Sequence, residues 1–339
     1  MVPPFSVLDA RQGYWQDRKR EWLAMGMRSE LGREAGLIGS DNVMSQINDG
    51  TSVFDPVLCE IAYRWFTPHP GARILDPFAG GVVRGAVAAR LGFEYVGIEL
   101  RPEQVEANRA QAYLWEDCDG PPPVWIEGDA RDVASLAPGT FDLVFSCPPY
   151  ADLEVYSDDP KDLSGLDPDE FLPVHAEIVQ AAISKLNKDR FIVWVISEVR
   201  NSRVKGGPYL GFVPSTIDAM VDAGAAFYNE AILVNAVGTV SLRAPRQFDA
   251  TRKLGRAHQN VVIGFAGDSD GIPTLPDDVA LDDPEYVDLQ VTDFAERRHL
   301  PPGHAKMLTG FNGDPAAVGD TFDPVIVDSD PAEQFGEVL

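Results

Sequence analysis

Between residues 73 and 265, short apolar runs alternate with helix-like stretches, and this alternation admits very few folds. The runs are residues 73–75, 95–98, 124–126, 143–145, 191–196, 231–234 and 261–265. They are too short for helices and lack a polar face, which suits strands buried on both sides of a sheet. Residues 82–91, 102–114 and 168–186 read as helices between them. Pro102 fits the first turn of its helix, where a missing N–H costs nothing. Seven strands with intervening helices predict an α/β fold: one doubly wound sheet with helices on both faces. Ligands of such sheets bind beyond the carboxyl ends of the strands, so the chemistry belongs in the turns that follow them.

Four of those turns carry unusual residues. The first is Asp76-Pro77-Phe78-Ala79-Gly80-Gly81, where two glycines let the backbone approach a ligand or simply make a tight turn. The second follows Gly97-Ile98-Glu99-Leu100. An acid about 20 residues after a glycine turn, at the end of the next strand, is placed to bind the ribose hydroxyls of a nucleoside. The third is Gly128-Asp129-Ala130, where Asp129 is either a partner for an adenine amine or a helix cap. Together the three acids point to a nucleoside site. The fourth, Ser146-Cys147-Pro148-Pro149-Tyr150, is the most specific. Consecutive prolines cannot continue a central strand; they stiffen a turn and leave carbonyls to accept hydrogen bonds. Tyr150 then presents a flat face on which a base can stack.

This order of motifs resembles the class I S-adenosylmethionine-dependent methyltransferases. More narrowly it is similar to the DNA amino-methyltransferases that act on N6 of adenine or N4 of cytosine. Thr51-Ser52-Val53-Phe54-Asp55-Pro56 is similar to the extra cofactor motif that precedes the first strand in some of them. Asp152-Leu153-Glu154-Val155-Tyr156-Ser157 adds a likeness to methyltransferase-like proteins of bacterial viruses. The resemblance implies a Rossmann-like seven-stranded sheet over residues 51–267 and S-adenosylmethionine as cofactor. It implies cofactor contacts from Phe54, Asp55, Asp76, Pro77, Phe78, Ala79, Gly80, Gly81, Glu99, Asp129 and Ala130, and a target-base site at Cys147, Pro148, Pro149 and Tyr150. The family has Asp, Asn or Ser where this chain has Cys147, and a thiol is a weak acceptor. That departure leaves the target base open. Cysteine-based C5 methylation fits poorly, because its nucleophile follows the prolines, where Tyr150 stands here.

The implied partner is double-stranded DNA, as in restriction-modification systems, yet the net charge is −25. The charge is uneven. Residues 268–339 hold 17 acids and three bases and read as an acidic, partly disordered extension, which leaves −11 on the rest. Residues 243–256 carry Arg243, Arg246, Arg252, Lys253 and Arg256 against Asp249 alone, and this basic stretch between the last two strands is either the candidate phosphate contact or a solvated loop. His258-Gln259-Asn260 follow it and can position a backbone or a base; His258 reads as structural. Residues 1–50 read as a helical extension in which Trp15, Arg18, Lys19, Arg20 and Trp22 form either a second basic, aromatic patch or an amphipathic packing helix. Asp158, Asp159 and Asp162 read as a solvated loop. No metal site, signal peptide or membrane span is expected, and three cysteines in a chain of 339 residues suit a reducing cytoplasm. The remaining alternatives are an RNA or protein methyltransferase of the same fold, or a non-catalytic binder acting through its acidic tail. Oligomeric state is not readable from the sequence.

Overall fold

The computed structural model describes residues 4–28, 31, 54–150, 159–201, 204, 206–238, 240–272 and 274. Thr51, Ser52, Val53, the segment 152–157, Asp158 and the acidic stretch beyond residue 274 lie outside the described residues.

The described strands are β1 (Val7–Asp9), β2 (Arg73–Asp76), β3 (Glu94–Glu99), β4 (Val124–Glu127), β5 (Phe141–Ser146), β6 (Leu186–Ile196), β7 (Ala226–Val234) and β8 (His258–Ala266). They form one sheet in the order β1-β7-β8-β6-β5-β2-β3-β4. β8 runs antiparallel to β6 and β7, and every other pair is parallel. The doubly wound α/β sheet is thus present, with eight strands instead of seven. The addition is β1, which extends the β7 edge with Val7 opposite Ile232. Three residues are too few for any periodicity to be read.

The helices are α1 (Gly13–Ala24), α2 (Pro56–Phe66), α3 (Val83–Arg90), α4 (Pro102–Arg109), α5 (Val133–Leu136), α6 (Pro168–Ile183), α7 (Phe212–Asp222) and α8 (Val240–Thr251). α4 ends at Arg109, and a separate 3-10 turn, Ala112–Leu114, completes the stretch expected as one helix. α6 stops at Ile183, because Leu186 already pairs with Phe141 as the start of β6. No described helix is long and apolar enough to cross a membrane.

Two apolar layers sandwich the sheet. Along β6, Phe191, Val193 and Val195 pack with α1, α2 and α3, while Ile192, Trp194 and Ile196 pack with α5, α6 and α7. The strict alternation explains why the strand is apolar throughout: each face has its own helical cover. β2 lies between β3 on one side and β5 on the other, so the winding reverses there, and the carboxyl ends of these strands border a crevice.

At the opposite, amino edge, Asp142 ties three strands together. Its carboxylate accepts the Arg73 N–H at 3.1 Å, the Asn187 amide at 3.0 Å and the Arg190 guanidinium at 3.1 Å, with His69 Nε2 at 3.9 Å. Burial pushes the Asp142 carboxyl up, but these donors outweigh it and hold the carboxyl below the ordinary aspartate value. The resulting stabilisation is complete above the unfolded value of about 3.9 and is lost as pH falls through the lowered one. Asp142→Asn should therefore lower the melting temperature near neutral pH, and the gap from the wild type should close in melts taken in progressively stronger acid.

Candidate functional site

A cavity of about 460 Å³ opens at the carboxyl edge of the sheet. Its lining gathers Phe54, Asp55, Pro77, Phe78, Ala79, Gly80, Gly81, Glu99, Asp129, Ala130, Cys147, Pro148, Pro149 and Tyr150. Of the residues expected to hold cofactor or target base, Asp76 is missing from this lining.

Asp76 is fully buried beneath the cavity floor. One carboxylate oxygen accepts the Ser146 hydroxyl at 2.6 Å and the Phe78 N–H at 3.1 Å; the other accepts Arg84 Nε at 2.6 Å and the Tyr95 hydroxyl at 2.7 Å. Four donors hold this carboxylate, closed to solvent, and it anchors the turns above it. Arg84 in turn donates to the Phe78 carbonyl and lies over the Phe54 ring at 4.7 Å. Burial opposes its charge, but Asp76 outweighs that and keeps the guanidinium protonated more firmly than usual.

The glycine turn sits on this anchor. Gly80 has φ +54°, a left-handed conformation that suits glycine. Its N–H donates to Glu99 Oε2 at 2.9 Å, and its carbonyl accepts Asn108 Nδ2 at 2.8 Å. Glu99 Oε1 accepts the Arg101 N–H at 3.0 Å. The two carboxylate oxygens are thereby fixed at the cavity wall. A Cβ on Gly97 would lie 2.7 Å from the Ala79 methyl, so β3 reaches the turn only because residue 97 has no side chain. Asp129 follows the end of β4. It caps the 3-10 turn Ala130–Asp132 through the Arg131 N–H at 2.9 Å, and it lines the cavity.

The Cys147–Tyr150 turn closes the other side. Tyr150 Oη accepts Gln259 Nε2 at 2.8 Å, and the ring stands edge-on to Phe212 with centroids 6.2 Å apart. Cys147 Sγ lies 4.0 Å from Tyr150 Oη. Behind the cavity an aromatic arc runs from Phe212 to His175 (4.8 Å), Trp194 (5.8 Å) and Phe78 (6.0 Å). Burial pushes His175 down to about 3, so it is neutral. Its Nε2 accepts Trp194 Nε1 at 2.9 Å, which places the ring proton on Nδ1.

Residues 240–251 form α8, which takes in the first part of the basic stretch, and no residue of that helix is buried. It joins the carboxyl end of β7 to the start of β8, so it stands at the cavity's edge of the sheet. Arg243, Arg246 and Arg252 are exposed there. None of the five bases lines the cavity. Arg256 bonds the His258 carbonyl at 3.2 Å and the Asn260 side chain, and it lies 5.8 Å from the Tyr209 ring, over which Arg200 stacks at 4.1 Å. Asp162, expected in a solvated loop, is buried, caps the 3-10 turn Leu163–Gly165 and borders the cavity. Sequence reasoning missed Arg84, Asn235 and Asp162 as lining residues and placed Lys19 in a basic patch or a packing helix, not at the cavity. No motif marks these positions; the fold alone brings them in.

No family model matches the sequence, and neither does any curated protein. Solved structures do resemble it. TrmN from Thermus thermophilus is 15% identical with TM-score 0.41 over 63% of this chain, and the match spans 49% of that chain, about half its length. A methyltransferase from Pyrococcus furiosus is 16% identical with TM-score 0.40, covering 64% of this chain and 85% of that one. A magnesium protoporphyrin IX methyltransferase from Synechocystis PCC 6803 with bound SAH is 12% identical with TM-score 0.42, covering 76% and 97%.

Removing the charge of Asp76 leaves Arg84 buried without its counter-ion, which costs about 3–5 kcal/mol. Asp76→Asn should lose stability on that scale in urea titrations, and Arg84→Met added to it should restore much of the loss. A ligand-contact role for Asp76 would instead leave stability intact.

Proposed function

We propose that the chain is an S-adenosylmethionine-dependent methyltransferase that acts on the exocyclic amine of a DNA base, N6 of adenine or N4 of cytosine. The observation that carries the reading is one cavity wall joining three nucleoside-type turns to the Cys147-Pro148-Pro149-Tyr150 turn. A cavity of about 460 Å³ is within the range of small-molecule sites. Its residues fit the cofactor. Glu99 offers two fixed carboxylate oxygens for a ribose diol, Asp129 an acceptor for an adenine amine, and residues 79–81 a backbone surface without bulky side chains. Once bound, S-adenosylmethionine supplies an electrophilic methyl group on a sulfonium.

The chain's own task is to hold the amine in line with that methyl. Tyr150, braced by Phe212 and Gln259, offers its ring face to a flipped base. Cys147 Sγ and the Pro148 carbonyl accept from the amine and aim its lone pair. Positioning of this kind supplies much of the rate for a transfer that needs no acid or base before attack. The bases on α8, Arg243 and Arg246, with Arg252, Lys253 and Arg256 just beyond it, meet phosphates of the duplex beside the cavity.

The test is incubation with methyl-labelled S-adenosylmethionine and unmethylated DNA, digestion to nucleosides and mass spectrometry. Labelled N6-methyladenine or N4-methylcytosine is expected. Label in C5-methylcytosine, or only in RNA or protein, would overturn the reading. Tyr150→Ala should weaken target holding by about 1–3 kcal/mol, seen as a raised KM for DNA. Replacing Arg243 and Arg246 with Gln should weaken DNA binding and flatten its salt dependence by about two phosphate contacts.

A further inference from the structure

We propose that Lys19, on the N-terminal helix α1, is the group that reads the carboxylate at the amino-acid end of the cofactor; this rests on the cofactor reading above.

α1 is clamped to α2 at two carboxylates. Glu60 accepts Arg18 Nε and Trp22 Nε1, both at 2.7 Å. Asp55 accepts Trp15 Nε1 at 3.2 Å and Lys19 Nζ at 3.0 Å, while its other oxygen caps α2 through the Val57 N–H at 3.0 Å. Residues 15, 18, 19 and 22 thus share one helix face, and the face is turned to α2. Arg18 is engaged by Glu60 and Glu21, and Arg20 by Asp17. Of these three bases only Lys19 borders the cavity, beside Phe54, Asp55 and Leu58.

The cavity has two poles. Glu99 and Asp129 stand at the ends of β3 and just past β4. Phe54 packs edge-on against Phe145 of β5, with ring centroids 5.7 Å apart, and brings Asp55 and Lys19 with it. From β4 to β5 is three strand spacings, about 14 Å. S-adenosylmethionine has a nucleoside at one end and a zwitterionic amino acid at the other. With the nucleoside at Glu99 and Asp129, the amino acid reaches the Asp55 pole, where its carboxylate needs a cation.

The cations lining the cavity are Lys19, Arg84, Arg101 and Lys161. Arg84 is committed to Asp76 below the floor. Arg101 lies beside Glu99 at 3.7 Å, at the nucleoside pole. The Lys161 backbone is bonded to Arg131, which Asp129 holds, so it belongs to that pole too. Lys19 is the cation at the amino-acid pole. It meets the cofactor as half of an ion pair, Lys19 for the carboxylate and Asp55 for the α-ammonium, charges matched in opposite sense to the zwitterion. The N-terminal helix is on this account a wall of the cofactor site.

The test compares two ligands by calorimetry on the full chain: S-adenosylmethionine and its decarboxylated analogue, which keeps the nucleoside, sulfonium and ammonium. The wild type should bind the decarboxylated ligand about tenfold more weakly, and in Lys19→Met that ratio should collapse toward one. Lys19→Gln repeats the comparison should the Met variant fold poorly. A ratio unchanged by the substitution, with both ligands weakened alike, would show that Lys19 only scaffolds Asp55 and would overturn the assignment. Wild-type protein that binds both ligands equally would overturn it as well. Wild-type protein that binds neither ligand would bring down the cofactor reading itself.

Discussion

Everything at the carboxyl edge hangs on a carboxylate that no solvent reaches. Asp76 collects donors from four places: the turn at Phe78, β5 at Ser146, α3 at Arg84 and β3 at Tyr95. Each bond fixes where one element ends relative to the others. A buried ion pair by itself is a poor source of stability, because desolvation rivals the attraction. Complete satisfaction changes its role: with every strong partner present, alternative registers of these strand ends would strand a charge in the core. The pair thus selects one arrangement of the turns, and the cavity is the space that arrangement leaves.

The order of elements from β2 to β8 was legible because the strands are apolar on both faces and the helices are not. The turns were legible because glycine and proline have strong local consequences. What escaped depends on partners distant in sequence. Asp76 and Glu99 look alike, two acids each ending a strand, yet one is sealed and the other lines the cavity. The difference comes from Arg84 and from Ser146, 70 residues further on. Lys19 and Asp55 are 36 residues apart, and nothing local announces their pairing. α8 was hidden for another reason: it has no buried stripe to give a helical period, and Pro245 inside it reads as a helix breaker.

The aromatic arc behind the cavity joins the two halves of the site. Phe78 belongs to the glycine turn and Tyr150 to the proline turn, and Trp194, His175 and Phe212 fill the space between them. Rings in edge-to-face contact resist small displacements, since any shift opens a void or a clash. A neutral His175 suits this position, because an imidazolium there would be charged and enclosed by hydrocarbon. The distance between the two turns is therefore set by this packing together with the Asp76 bonds to Phe78 and Ser146, rather than by anything within the cavity.

α8 contributes nothing to either apolar layer. Fold stability consequently exerts almost no selection on its sequence, whereas one methylene lost from Trp194 or Phe145 would be felt at once. Natural drift can rewrite this helix freely as long as its encounters outside the molecule remain productive. Related chains should diverge fastest along this segment while keeping the buried acid, the glycine turn and the two prolines, and exchanging the helix between them is the mildest way to change what the scaffold meets.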